Sequence, residues 1–127
     1  MNNIEIAKES YLAYVNNDRA ANEAVISANF HFTSPCDNRI DRQAYFDRCW
    51  PNHDAITDFR FVRLIANGDE VIVTYEGTNL SGGVFRNTEI LTISEGKIVE
   101  AEVYFGWNLP HDAPPGGSAP PASSNGT

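Results

Sequence analysis

The stretch Phe85-Arg-Asn-Thr-Glu-Ile-Leu-Thr-Ile-Ser-Glu-Gly-Lys-Ile-Val-Glu-Ala-Glu-Val-Tyr-Phe-Gly-Trp107 decides the fold. Two alternating runs meet at Glu95-Gly96-Lys97, a short polar turn with a glycine where a positive φ costs least. One side of the first run reads Phe85, Asn87, Glu89, Leu91 and Ile93; the other reads Arg86, Thr88, Ile90, Thr92 and Ser94. Period two over this length is the pattern of a hairpin with one face on a core. A carboxylate in the middle of the more apolar row is costly to bury unless it has a partner or stays protonated. Glu89 is therefore the first candidate for chemistry.

Upstream of this hairpin the same period continues. Asp58–Ala66 reads as a strand, Asn67-Gly68-Asp69 as a turn, Glu70–Leu80 as the next strand and Ser81-Gly82-Gly83 as another turn. Before residue 57 the period is helical. Ile4, Ala7, Tyr11, Tyr14 and Val15 give residues 3–17 one apolar face, and Asp18 caps a second helix expected over 19–28. Phe30–Ser34 alternates as a short strand ended by Pro35, and Cys36–Ile40 reads as loop. Asp41 then caps a third helix carrying Ala44, Tyr45, Phe46, Cys49 and Trp50, closed by Pro51. Helix, helix, strand, helix and four antiparallel strands make an α+β fold.

The chain has 127 residues, 42% of them hydrophobic, enough for one domain with its own core. A net charge of −8 opposes phosphate neutralisation, so no nucleic-acid partner is expected, and no anionic membrane surface either. The N-terminus has neither the basic nor the apolar block of a secretory leader, and no apolar run reaches the roughly 20 residues of a span; the expectation is a cytoplasmic protein. Cys36 and Cys49 are too few for a disulfide framework. His31, His53 and His111 are scattered, so neither a metal nor another cofactor is expected. Residues 1–109 read as the domain and 110–127 as a disordered tail rich in Pro, Gly and Ser.

The element order, with Gly-Lys-Ile-Val-Glu between the last two strands and Tyr-Phe-Gly at the end, resembles the nuclear transport factor 2-like superfamily over about residues 4–108. Its SnoaL-like and ketosteroid isomerase branches are the nearest in pattern. The resemblance implies a cone-shaped half-barrel, in which a strongly curved, mostly antiparallel sheet wraps three N-terminal helices. It also implies an apolar pocket open at the wide end, and a homodimer through the outer sheet face. Tyr11, in Tyr-Leu-Ala-Tyr-Val, matches the oxyanion-hole tyrosine of the isomerase pattern. Glu89 falls where that pattern has a protonated aspartic acid, and Phe105-Gly106 matches its pocket aromatic. Val62-Arg63 and Ala66-Asn67 are familial as well. The general-base aspartate before a proline is absent: Ser34-Pro35 stands there, which removes the group that takes the proton.

If Glu89 faces a pocket, Leu91 and Ile93 face it too, with Val71, Val73 and Tyr75 on the preceding strand and Val99, Ala101, Val103 and Phe105 on the last. The outer face then carries Ile72, Thr74, Glu76 and Thr78, and Ile98, Glu100, Glu102 and Tyr104; Ile72, Thr74, Ile98 and Tyr104 are the expected dimer contacts. Glu89 in such a pocket has a raised pKa; the alternative is a solvated carboxylate, or one paired with Arg86 or Arg63. Tyr11 either faces Glu89 or a ligand oxygen, or is a core tyrosine. Asp37 is a candidate acid or base at the mouth, or a turn cap. Ser34 is a candidate to orient water or ligand, and Trp50 and His53 to line the entrance. The function expected is a pocket protein for a small apolar molecule. It acts as a cofactor-free isomerase, cyclase or dehydratase by proton transfer on a carbonyl compound. The alternative is a non-catalytic ligand-binding or dimerisation module, which the same fold supports.

Overall fold

In a computed structural model of the chain, residues 1–120 are described, apart from the side chain of His53. The chain forms α1 (Asn3–Val15), α2 (Arg19–Val25), β1 (Ile26–Ser34), β2 (Asp37–Asp41), α3 (Arg42–Arg48), a 3-10 turn (Trp50–Ala55), β3 (Ile56–Asn67), β4 (Glu70–Asn79), β5 (Val84–Ser94) and β6 (Lys97–Leu109). The helix starts are set by local chemistry. Asn2 and Glu5 form a reciprocal capping box at α1. The Asp18 carboxylate accepts from Ala21 N at 3.1 Å, and that of Asp41 from Ala44 N at 2.9 Å, so both caps expected from the sequence are present.

The strands make one six-stranded curled sheet in the order β2-β1-β6-β5-β4-β3. Every pairing is antiparallel except β1 with β6. The β5–β6 turn places Glu95 and Gly96 at φ 52° and 76°, the left-handed pair that matches strand twist. Helices α1, α2 and α3 cover the concave side. The core joins Ile6 and Ala7 of α1, Val25 and Ile26, Phe46 of α3, and Val71, Val73 and Ile93 of the sheet. Phe46 also carries the guanidinium groups of Arg19 and Arg42 on its ring, at 4.7 and 5.1 Å from the centroid, which ties α2 to α3.

Three local expectations change. The second helix ends at Val25 rather than residue 28, because Ile26 leaves the helix to pair with Ile98 of β6. Residues 37–41, read as loop, form the edge strand β2. Its polar side chains hide the period, and its pairing with β1 across a tight turn makes it a strand. On β6 the face assignment inverts at one point. Thr92 pairs with Glu100 and Ile93 with Ile98, so Val99 is an extra residue in a bulge. Ile98 is consequently 2% exposed and lines the interior, whereas Val99 is only half-buried. Ile98 is thus no part of an outer face.

A second irregularity follows at Gly106. Arg86 pairs with Trp107 and Asn87 with Phe105, leaving Gly106 between them. A Cβ there would lie 2.2 Å from the Arg86 carbonyl oxygen, so the bulge needs glycine. On the outer face, Thr74 is buried with its hydroxyl on Thr88 at 2.9 Å, while Tyr104 is 52% exposed. Residues 110–120 contain no helix or strand, and the His111 ring lies 5.6 Å from that of Trp107. The rest of the expected tail, 121–127, lies outside the described residues. No helix among the described residues is long and apolar enough to cross a membrane.

Candidate functional site

The wide end of the curled sheet encloses a cavity of about 530 Å³. Its walls come from α1, β1, the β1–β2 turn, α3, and the inner faces of β4, β5 and β6. Nine aromatic side chains reach it, among them Tyr11, Tyr14, Tyr45 and Tyr75, together with Leu91, Ile98, Ala101 and Val103. Volume and lining suit a small organic molecule of mostly apolar surface.

Glu89 stands on this wall, half-buried, with its accessible surface turned to the cavity. It pairs with neither candidate arginine. Arg86 instead holds Glu76 on the opposite face, and Arg60 binds the same carboxylate at 3.1 Å. Loss of water around Glu89 pushes its pKa up to about 7, against the smaller downward pull of the Tyr75 and Tyr11 hydroxyls. The effect is mutual. Burial first, then the Glu89 charge, raises Tyr11, Tyr75 and Tyr45 well above an ordinary phenol. Tyr14 rises too, through burial and the thiol of Cys49, with Glu89 adding less.

Tyr11 is 7% exposed and its hydroxyl has no formed hydrogen bond; it lies within electrostatic reach of Glu89 but short of full bonding geometry. Its ring is wedged edge-on against Phe59 and Phe61, with centroids 5.2 and 5.5 Å away. A buried hydroxyl without an acceptor is costly in a finished core and useful beside an open cavity. Tyr14 spends its proton differently, on the Cys49 carbonyl oxygen at 3.2 Å.

At the β1–β2 turn, the Ser34 hydroxyl donates to Asp37 Oδ2 at 3.0 Å and accepts from Cys36 N at 3.1 Å. Arg48 of α3 pairs with Asp37 Oδ1 at 3.1 Å. Ser34 and Asp37 both line the cavity, so the residue standing where the isomerase pattern has its base is bonded to a carboxylate three positions on. Burial and the Asp37 charge push the neighbouring Cys49 thiol up to about 11, which keeps it protonated and a poor nucleophile.

Of the residues singled out from sequence, Tyr11, Ser34, Asp37, Tyr75, Glu89, Leu91, Val103 and Phe105 share this cavity. Two do not line it. Val73 is fully buried in the core with Ile6 and Ala7, because the β4 face is covered by α1 at its start and opens only at Tyr75. Trp50 packs behind the wall, 5.5 Å from Tyr14 and 6.0 Å from Phe46 by ring centroids. The side chain of His53 lies outside the described residues. Sequence reasoning missed Tyr14, Tyr45 and Asn87. Tyr14 carried a signal, since it lies three residues after Tyr11 on one helix face. Among the described residues no three His, Cys, Asp or Glu side chains converge as metal ligands.

The pattern of the SnoaL-like domain matches residues 7–101. No curated protein matches the chain in sequence. Solved structures with the same fold include a protein from Kribbella flavida (TM-score 0.74, 15% identity, 81% of this chain and 85% of that one). An NTF2-like protein of unknown function from Cytophaga hutchinsonii is also similar (0.67, 18% identity, 84% and 91%). So is an NTF2-like protein from Burkholderia thailandensis (0.62, 25% identity, 81% and 89%).

Proposed function

The chain belongs to the SnoaL-like domain family, and from that premise we propose that it is a cofactor-free enzyme moving a proton on a small, largely apolar carbonyl compound. The observation that carries this reading is Glu89: a carboxyl inside an aromatic cavity, with a pKa of about 7 and an orphaned Tyr11 hydroxyl beside it. A group half-ionised near neutrality both takes and returns a proton. Glu89 takes the proton next to the carbonyl and redelivers it, giving isomerisation, or leaving a carbanion for cyclisation or dehydration. Tyr11 donates to the carbonyl oxygen as negative charge develops, an interaction stronger in the transition state than in the ground state. Asp37, paired with Arg48 and Ser34, orients the ligand at the mouth.

Proton exchange tests this without knowledge of the natural substrate. Uncharged cyclic and aryl ketones are incubated with the protein in D2O, and α-hydrogen loss is followed by NMR. The wild type accelerates exchange, with a rate that rises through about pH 7 as Glu89 ionises. Glu89→Gln abolishes the acceleration, and Tyr11→Phe reduces it on the order of 100-fold. Exchange that Glu89→Gln leaves intact refutes the assignment. Ser34 at the base position favours a second reading, a ligand-binding module without chemistry; ketones that bind in this cavity but never exchange would establish it. We also propose a homodimer across the outer sheet face, where Tyr104 and Trp107 are exposed.

A further inference from the structure

Tyr75 of β4 and Asn87 of β5 are direct cross-strand partners, and both line the cavity. Asn87 is 4% exposed and its amide is used at both ends. Its Oδ1 accepts from the backbone N–H of Gly106, the bulge residue of β6, at 3.2 Å. Its Nδ2 donates to Tyr75 Oη at 3.4 Å. The direction of this chain is not arbitrary. A backbone N–H can only donate, so Oδ1 must face Gly106 and the NH2 must face the tyrosine. With a lone pair of Tyr75 Oη engaged by that amide, its proton points elsewhere, and Glu89 is the acceptor on the cavity side.

We propose that Asn87 is a positioning residue: anchored on the Gly106 bulge, it obliges the Tyr75 hydroxyl to donate into the cavity, to Glu89 or to a ligand oxygen beside it. This rests on the acid–base reading of Glu89 above and extends it. The deep end of the cavity then presents two hydroxyl donors, Tyr75 and Tyr11, to one oxygen. No Lys or Arg lines the cavity among the described residues. The ligand group that fits is an uncharged acceptor such as a ketone or quinone oxygen, whereas a carboxylate or phosphate would meet Glu89 and Asp37 without a compensating cation. The bulge explains why the relay exists, since only a glycine at 106 lets its N–H reach Asn87 with the strand so close to Arg86.

A carbon-13 NMR titration of the Glu89 carboxyl in four proteins (wild type, Tyr75→Phe, Asn87→Leu and the double variant) separates positioning from mere packing. The other titratable groups facing Glu89 are Tyr11 and Tyr14 from α1, Tyr45 from α3 and Cys49 at its end; all stay neutral across the range. Tyr75→Phe removes a donor and raises the Glu89 midpoint by at least about half a pH unit. Asn87→Leu raises it in the wild type but leaves it unmoved in the Tyr75→Phe background, because Asn87 acts through Tyr75. An unchanged midpoint in Tyr75→Phe overturns the proposal, as does an Asn87→Leu shift of equal size in both backgrounds. Should Asn87→Leu fail to fold, Asn87→Ser, which still accepts from Gly106, takes its place in the cycle, and Tyr75→Phe tests the donor directly. The titration needs no substrate. The expected cycle without ketone exchange refutes the catalytic reading alone, and exchange without the cycle refutes the relay alone.

Discussion

Replacing Glu89 by Gln should make the protein more stable, and only at the high end of the pH range. Folding carries the Glu89 pKa from 4.5 to about 7, chiefly by stripping water from the carboxyl. The folded state therefore holds this proton more tightly than the unfolded chain. Below pH 4.5 both states are protonated and nothing is lost. As pH rises through the window from 4.5 to about 7, the unfolded state ionises first and stability falls; above about 7 the loss is complete. At 1.36 kcal/mol per pH unit, that shift corresponds to roughly 3 kcal/mol. Glutamine keeps the shape and does not titrate. Urea unfolding of both proteins at pH 4, 6 and 8 isolates the effect, because other titrating groups cancel in the difference. Glu76, whose pKa is lowered by its hydrogen bond to Arg86, is the main one with the opposite trend. Equal or nearly equal stabilities at pH 4 should open into an advantage of about 3 kcal/mol for Glu89→Gln at pH 8, on the order of 10 °C in Tm. Parallel curves would mean that Glu89 titrates as a solvated glutamate, and the acid–base argument would fall with them.

The bulge in β6 makes Ile98→Ala the costly change, about 2–5 kcal/mol, and Val99→Ala a mild one, by chemical denaturation; the reverse order would restore the face assignment read from period two alone. Tyr104→Glu should shift a dimer toward monomer in light scattering at micromolar concentration, and a monomeric wild type would refute the outer-face dimer. Truncation after Leu109 should leave Tm nearly unchanged, since the retained helices and strands carry the whole core and the cut takes away little more than the His111 ring beside Trp107; a fall of several degrees would show that the tail docks.

What the sequence determined by itself was local or periodic. The caps at Asp18 and Asp41 need only a side chain and an N–H three residues on. The β5–β6 hairpin needs only a Glu-Gly turn between alternating runs, so Glu89, Leu91 and Tyr75 could be placed on one face from their numbers. The tertiary structure decided everything that breaks a period or spans elements. Period two carried past Glu100 put Ile98 outside, and one extra residue at Val99 turns it inward; nothing in Ile-Val-Glu announces a bulge. Strand β2 has no apolar alternation and exists because β1 offers it an edge. Tyr45 and Asn87 look like packing residues in isolation. They become part of a site because α3, β4, β5 and the Gly106 bulge converge on one cavity, where electrostatic and hydrogen-bonding forces act over ångströms in space however far apart residues lie in the chain.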